Sequence, residues 1–139
     1  MSEASERNQI IINEFRENAG KVGGYFSNTE LILLHTIGAK SGIEYVNPAA
    51  VLRDGECLVV FASKGGAPDN PGWYYNIVAH PEISVEFGTE TFKVKAMVAE
   101  EPERTHLYDK MAAKNPNFEQ YRKKTTREIP VIILNRVEN

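Results

Sequence analysis

The four residues Arg53-Asp54-Gly55-Glu56 constrain the fold of this chain more than any other stretch. They separate two apolar runs, Tyr45–Leu52 and Leu58–Ala62. An Asp-Gly pair between such runs is a strong short-range signal for an antiparallel hairpin. A second hairpin follows around Gly88, joining Ile83–Phe87 to Thr91–Val98. There Phe92, Val94 and Ala96 alternate with Thr91, Lys93 and Lys95, so one strand face is buried and the other wet. The run Leu31–Ile37 fits a strand buried on both faces, and Ile129–Leu134 supplies a closing strand. Six strands in hairpins predict a small antiparallel barrel, because closure removes the edges that strands this apolar otherwise present.

Helices decorate that barrel. Residues Ser5 to Asn18 read as an amphipathic helix with Ile11, Ile12 and Phe15 as its apolar stripe and Glu6, Arg7, Glu14, Arg16 and Glu17 outward. Ala19-Gly20 stops it, and Gly23-Gly24 makes a joint. Docking on the core is the expected role, ahead of covering a ligand or touching a membrane surface, since its mixed charges suit a membrane poorly. Gly72–Ala79 reads as a short helix ended at His80-Pro81. Glu101-Pro102-Glu103 opens another, with Leu107, Tyr108, Met111 and Ala112 as its apolar side. Asn115-Pro116-Asn117 breaks it before a last helical piece, Phe118–Lys124. The class is therefore α+β, mainly β. Residues 1–28 form an N-terminal helix and linker, and 29–139 the barrel, within one domain overall.

Composition removes several function classes. A chain of 139 residues supports one core, and a net charge of −3 gives no basic stripe for nucleic acid. No apolar run approaches the roughly 18–20 residues that span a bilayer, and no signal-peptide pattern opens the chain. The single cysteine, Cys57, excludes an internal disulfide and fits a reducing cytoplasm; its expected role is packing. His35, His80 and His106 are far apart, with no Cys or carboxylate at ligand spacing, so no metal is expected. His35 reads as a partnered core histidine, His80 as part of a turn and His106 as solvated.

The chemistry gathers in loops. Gly38-Ala39-Lys40-Ser41-Gly42 and Ser63-Lys64-Gly65-Gly66 each follow an apolar strand, which puts a lysine among glycines at two strand ends. Glycines admit a ligand close to the backbone, and their amides can converge on an anion. The second loop runs on into Pro71-Gly72-Trp73-Tyr74-Tyr75-Asn76, which brings in the only tryptophan and an aromatic wall. Neither loop matches a triphosphate-binding or dinucleotide-binding motif. Together they suit a large, planar, anionic cofactor.

Taken in order, several motifs resemble the deazaflavin (coenzyme F420)-dependent nitroreductases and F420H2-dependent quinone reductases of actinobacteria. They are Thr36-Ile37-Gly38-Ala39-Lys40-Ser41-Gly42, Asn47-Pro48, Ala62-Ser63-Lys64-Gly65-Gly66-Ala67, Pro71-Gly72-Trp73-Tyr74-Tyr75-Asn76, Ala79-His80-Pro81 and Arg127-Glu128-Ile129-Pro130. The resemblance runs from about Leu31 to Leu134, with the N-terminal helix outside it. It implies a split β-barrel, like those that bind flavin mononucleotide, holding F420: a deazaisoalloxazine ring, a ribityl chain, a phosphodiester and an oligoglutamate tail.

On that resemblance, Lys40 and Ser41 meet the phosphate or tail carboxylates, and Asn47 and Pro48 shape the groove. Ala62, Ser63, Lys64, Gly65 and Gly66 line the ring and its carbonyls, Trp73 packs beside it, and Asn76 fixes the loop or a polar cofactor group. Phe118 and Tyr121 face the acceptor, and Ser63 and Tyr121 are the candidate catalytic donors. Many relatives carry arginines at the positions of Ala39 and Tyr45, so two anion-binding charges are absent here; Arg53, Lys124 and Arg127 are the candidates to compensate. The implied reaction is hydride transfer from reduced F420 to a quinone, with nitro compounds as further acceptors. The alternatives are a flavin mononucleotide-dependent oxidoreductase and an F420 carrier without turnover. Self-association into a homodimer, and peripheral membrane contact through the first helix, complete the expected partners.

Overall fold

The structure, a computed structural model, describes residues 3–21 and 30–137. The Gly23-Gly24 joint, and the outward side chains of Glu6 and Arg7, fall outside the described residues. The elements run α1 (Glu3–Glu17), β1 (Leu31–Ile37), β2 (Glu44–Asp54), β3 (Cys57–Phe61), α2 (Gly72–Ala79), β4 (Glu82–Phe87), β5 (Glu90–Val98), α3 (Glu103–Lys114), α4 (Pro116–Lys124) and β6 (Val131–Arg136). All neighbouring strands pair antiparallel, and the sheet closes in the order β1-β2-β3-β6-β5-β4.

Both expected hairpins form. Asp54 pairs with Cys57, which leaves Gly55-Glu56 as the loop with Gly55 at φ +62°. Phe87 pairs with Glu90 around Gly88 at φ +60°. A glycine at the first central position takes that left-handed geometry without steric cost. β6 starts at Val131, two residues later than the apolar pattern suggests. Pro130 has no N–H to give a ladder; its carbonyl instead accepts from the Ala62 N–H at 2.9 Å. β2 runs longer than its apolar core, because pairing with β1 carries on to Glu44.

Three apolar layers result. Inside the barrel, Ile32, Leu34, Val51, Val60, Val85, Val94, Ile132 and Leu134 are buried, and Ile77 of α2 plugs one end. On one outer face, Ile12 and Phe15 of α1 pack on Leu31 and Leu33, with Val46 and Ala50 against them. Burying those two helix side chains contributes roughly 3–6 kcal/mol before ordering costs. α1 is also tied by Arg16, whose guanidinium donates twice to Glu86 at 3.0 and 2.7 Å. On a second outer face, Leu107, Tyr108 and Met111 of α3 and Phe118 of α4 cover Val59, Phe61, Val131 and Ile133.

The half of β2 that lies between those helical covers decides where a ligand can enter. β2 pairs with β3 only from Val51 to Asp54, whereas residues 44–50 are paired on the β1 side alone. Val51 donates to Glu30 on the β1 side. By alternation along the strand, Pro48 turns its nitrogen toward the open side, where a missing N–H breaks no ladder. The barrel is thus split at β2, and the split opens into a cavity.

Candidate functional site

A cavity of about 1080 Å³ lies along that open edge. Its floor is Tyr45 and Asn47–Ala50 of β2, and its ends are the β1–β2 turn and the loop after β3. α2 contributes Trp73, Tyr75 and Asn76, and α4 contributes Phe118 and Tyr121. Asn8 of α1 closes the remaining side, so the N-terminal helix both docks on the barrel and borders the cavity.

Nine of the eleven residues expected to hold a cofactor line this one space: Lys40, Ser41, Asn47, Pro48, Ser63, Lys64, Gly65, Trp73 and Asn76. Both expected acceptor-side residues, Phe118 and Tyr121, line it too. Ala62 and Gly66 do not, and the correction has a physical cause in each case. Ala62 is fully buried at the end of β3, with its N–H on Pro130 and its carbonyl on Arg127. Gly66 is buried against α4; a Cβ there would lie 2.9 Å from the Tyr121 carbonyl oxygen and 3.1 Å from its Cα. The glycine is needed for helix packing, whereas at Gly65 a Cβ would meet nothing within 4 Å.

The lysine of the first turn is placed by a chain of hydrogen bonds. The Ala39 N–H donates to Asn76 Oδ1 at 3.0 Å, Asn76 Nδ2 donates to Thr36 Oγ1 at 3.3 Å, and Thr36 Oγ1 donates to Asn47 Oδ1 at 3.1 Å. Asn76 therefore fixes the loop, one of its two expected roles. Ser41 Oγ accepts from the Ile43 N–H at 3.2 Å, which leaves its O–H to donate elsewhere. A Cβ at position 38 would overlap Ser41 Oγ, which explains the glycine there. Lys40 is left exposed on the rim.

The second loop turns sharply left. Lys64, Gly65 and Gly66 sit at φ +47°, +64° and +83°, after a right-handed Ser63 at φ −79° and ψ −38°. Lys64 lines the cavity while its ammonium pairs with Asp69 at 3.3 Å, and that pairing by hydrogen bond and charge holds the Asp69 carboxyl below its ordinary range. The loop leads to Pro71 and Gly72 at the start of α2, an end with no side-chain cap that lines the cavity. Uncapped helix N-termini carry partial positive charge and attract anions.

The opposite wall is aromatic. Phe118 stacks edge-on with Tyr121 at 5.1 Å and with Phe61 at 5.5 Å, and Phe61 meets Tyr108 at 5.7 Å. The Tyr108 hydroxyl donates to the Phe118 carbonyl at 2.7 Å and fastens α4 to α3; burial pushes its pKa up to about 12.

The cations proposed to compensate for Ala39 and Tyr45 are engaged or directed elsewhere. Arg53 binds Glu30 through a fork at 2.9–3.1 Å and lies over the Phe87 ring. The Lys124 side chain begins behind Gly66 and is exposed. Arg127, which does not line the cavity, donates to Ala67 O, Asn70 Oδ1, Ala62 O and Ser63 O at 2.7–3.1 Å. That clamp on the loop was invisible in the sequence, because its acceptors are carbonyls nearly half a chain away. The histidines divide as expected: His35 is half-buried between Glu44 (2.9 Å) and Glu86 (2.6 Å), whereas His80 ends α2 and His106 is exposed. Among the described residues no group of three His, Cys, Asp or Glu is placed to hold a metal ion. Nor is any described helix long and apolar enough to cross a membrane.

Comparison with known proteins places these features in a family. The family model described as F420H(2)-dependent quinone reductase matches residues 7–136. An F420H(2)-dependent quinone reductase of Mycobacterium tuberculosis (strain H37Rv) is 33% identical over 126 residues, covering 88% of this chain and 85% of that protein. A solved structure described as an F420-H2 dependent reductase (FDR-A) is 35% identical with a TM-score of 0.69, covering 76% of this chain and 93% of that one. Another, described as a domain-swapped dimer, is 28% identical with a TM-score of 0.71, covering 96% and 100%. The family match includes most of α1, which corrects the expectation that the N-terminal helix lies outside the resemblance.

Proposed function

The chain belongs to the F420H(2)-dependent quinone reductase family, and from that premise we propose that the cavity along the open half of β2 holds F420 with a quinone beside it. The observation that carries this reading is the convergence of five separate sequence segments on one space: Gly38–Ser41, Asn47-Pro48, Ser63–Gly65, Trp73–Asn76 and Phe118–Tyr121.

The donor set fits the group. A phosphodiester and carboxylates call for a cation and hydroxyl donors, which Lys40 and Ser41 supply on the rim. A flat ring calls for apolar faces, which Pro48, Ala49 and Trp73 supply, and ring carbonyls call for the amides around Ser63–Gly65. Asn76 holds the first turn in place through Ala39. When bound in its reduced form, F420 supplies the hydride.

The chain's own contribution is placement and charge stabilisation. Phe61, Phe118 and Trp73 exclude water from the space where the acceptor sits. As a quinone accepts a hydride, negative charge develops on its oxygen. The hydroxyls of Ser63 and Tyr121 donate hydrogen bonds to that oxygen, and water completes its protonation. The protein acts in the cytoplasm without a metal, and self-association is supported by the neighbour described as a domain-swapped dimer.

Trp73 is the only tryptophan, so its emission reports the site directly. Titration with F420 is expected to quench it to saturation, with flavin mononucleotide binding far more weakly. Tighter binding of flavin mononucleotide would overturn the choice of cofactor.

A further inference from the structure

Among the described residues, the hydrogen bonds of the Arg127 guanidinium all go to the loop after β3. Nε donates to Ala67 O at 2.9 Å, Nη1 to Asn70 Oδ1 at 2.7 Å, and Nη2 to Ala62 O at 3.1 Å and Ser63 O at 2.9 Å. The segment that carries it is itself braced. Arg104 of α3 donates to Ile129 O at 3.0 Å and pairs with Glu128 at 3.0 Å. Ile129 is buried, and Pro130 O accepts from Ala62 N–H at 2.9 Å. Thr125 Oγ1 accepts from the Arg127 N–H at 3.3 Å. A rigid fork on a rigid base therefore grips four acceptors of a loop that lies between it and the cavity.

The grip fixes the direction of the loop's amides. In a trans peptide the C=O and the following N–H point opposite ways. With Ala62 O and Ser63 O turned to the guanidinium, the N–H groups of Ser63 and Lys64 turn away from it, toward the side that lines the cavity. The backbone adds convergence: right-handed Ser63 followed by left-handed Lys64 is the sequence of conformations that draws successive N–H groups into an anion-accepting nest. Left-handed geometry at a lysine costs roughly 1–2 kcal/mol, so a device that holds it is required.

We propose that Arg127 is a positioning residue that holds the Ser63, Lys64 and Gly65 amides as a nest for the electron-rich carbonyl edge of the deazaflavin ring. This rests on the reading that the cavity binds F420. It assigns Arg127 to the ring through the loop, and denies it a direct contact with the phosphodiester or the oligoglutamate tail.

The test compares two probes: F420, and the same ring and ribityl chain lacking the phosphodiester and tail. Both are titrated against Trp73 emission for the wild type, Arg127→Lys and Asn70→Ala, with the folded fraction fixed by circular dichroism. Lysine keeps the charge but cannot bridge four separated acceptors, so Arg127→Lys is expected to weaken both probes by the same factor, roughly tenfold or more. Asn70→Ala removes one anchor and leaves the arginine; both probes are expected to weaken by roughly threefold. Amide hydrogen exchange over residues 63–70 is expected to speed up in both variants. A loss confined to F420, with the tail-free probe unaffected, would show a direct tail contact and overturn the proposal. So would unchanged affinity in the folded variants, which would leave Arg127 with a stabilising role only. If the wild type binds neither probe, the F420 reading itself fails, and the proposal fails with it.

Discussion

Replacing Gly66 by alanine tests the packing between the cofactor loop and α4, and Gly65→Ala provides an internal control two atoms of chain geometry away. Both glycines have left-handed backbones, at φ +64° and +83°. Forcing a Cβ into that region costs roughly 1–2 kcal/mol, offset by about 0.4–1 kcal/mol from the stiffer unfolded chain. Gly65→Ala stops there, because its Cβ meets open space. Gly66→Ala also places its Cβ at 2.9 Å from Tyr121 O, 3.1 Å from Tyr121 Cα and 3.2 Å from Lys124 Cβ. Two of those three atoms are backbone, so α4 must move as a unit, an overpacking cost of roughly 1–3 kcal/mol. Each kcal/mol shifts Tm by roughly 3–4 °C in a chain of this size. Gly66→Ala is therefore expected to melt about 3–12 °C below Gly65→Ala in calorimetry. Because α4 carries Phe118 and Tyr121, Gly66→Ala is also expected to raise KM for the quinone. Equal melting temperatures for the two variants would refute the claim that Gly66 exists for helix packing.

Three further outcomes follow from other contacts. The Glu86 carboxyl is held below its ordinary value of 4.5, chiefly by the hydrogen bond from Arg16 and further by His35, against an opposing effect of burial. Its contribution to stability is thus present above that value and lost as pH falls through the folded value, so urea unfolding of Glu86→Gln from about pH 7 to about pH 3 should show a flatter acid limb. Tyr108→Phe leaves the buried Phe118 carbonyl without the hydroxyl donor and is expected to cost roughly 1–3 kcal/mol at neutral pH. Burial raises that hydroxyl to about 12 from 10.0, so the wild type should lose more stability than the variant as pH rises from about 10 to 12. Lys40→Ala is expected to weaken F420 roughly tenfold at low salt and less at high salt, leaving the tail-free deazaflavin unchanged; an unchanged F420 affinity would refute the assigned anion contact.

The barrel was legible because its signals are local. Asp54-Gly55 and Gly88 mark their hairpins within a few residues, and the alternation of Phe92, Val94 and Ala96 sets a face without any tertiary knowledge. The split was implied only by the family resemblance and its position was not legible in the residue pattern, since it depends on a pairing that β2 fails to make over residues 44–50. Glycines near a lysine read alike in sequence, yet Gly65 faces the cavity while Gly66 makes room for Tyr121. Arg127 likewise reads as a spare cation, and only the folded loop supplies the four acceptors that consume it. Lys40 does lie exposed at the cavity, because a strand-end turn displays its side chain whatever the rest of the fold does.

Hydride transfer at this cavity is tested most directly by a single turnover. The protein is loaded with reduced F420 in slight deficit and mixed rapidly with a water-soluble quinone, while the absorbance of the oxidised deazaflavin is followed. The account predicts one exponential return of oxidised F420, saturating with quinone concentration and much faster than without protein, with a smaller amplitude or rate in Lys40→Ala. Reduced F420 that binds and quenches Trp73, yet persists unchanged after the quinone is added, would contradict it and leave a carrier in place of an enzyme.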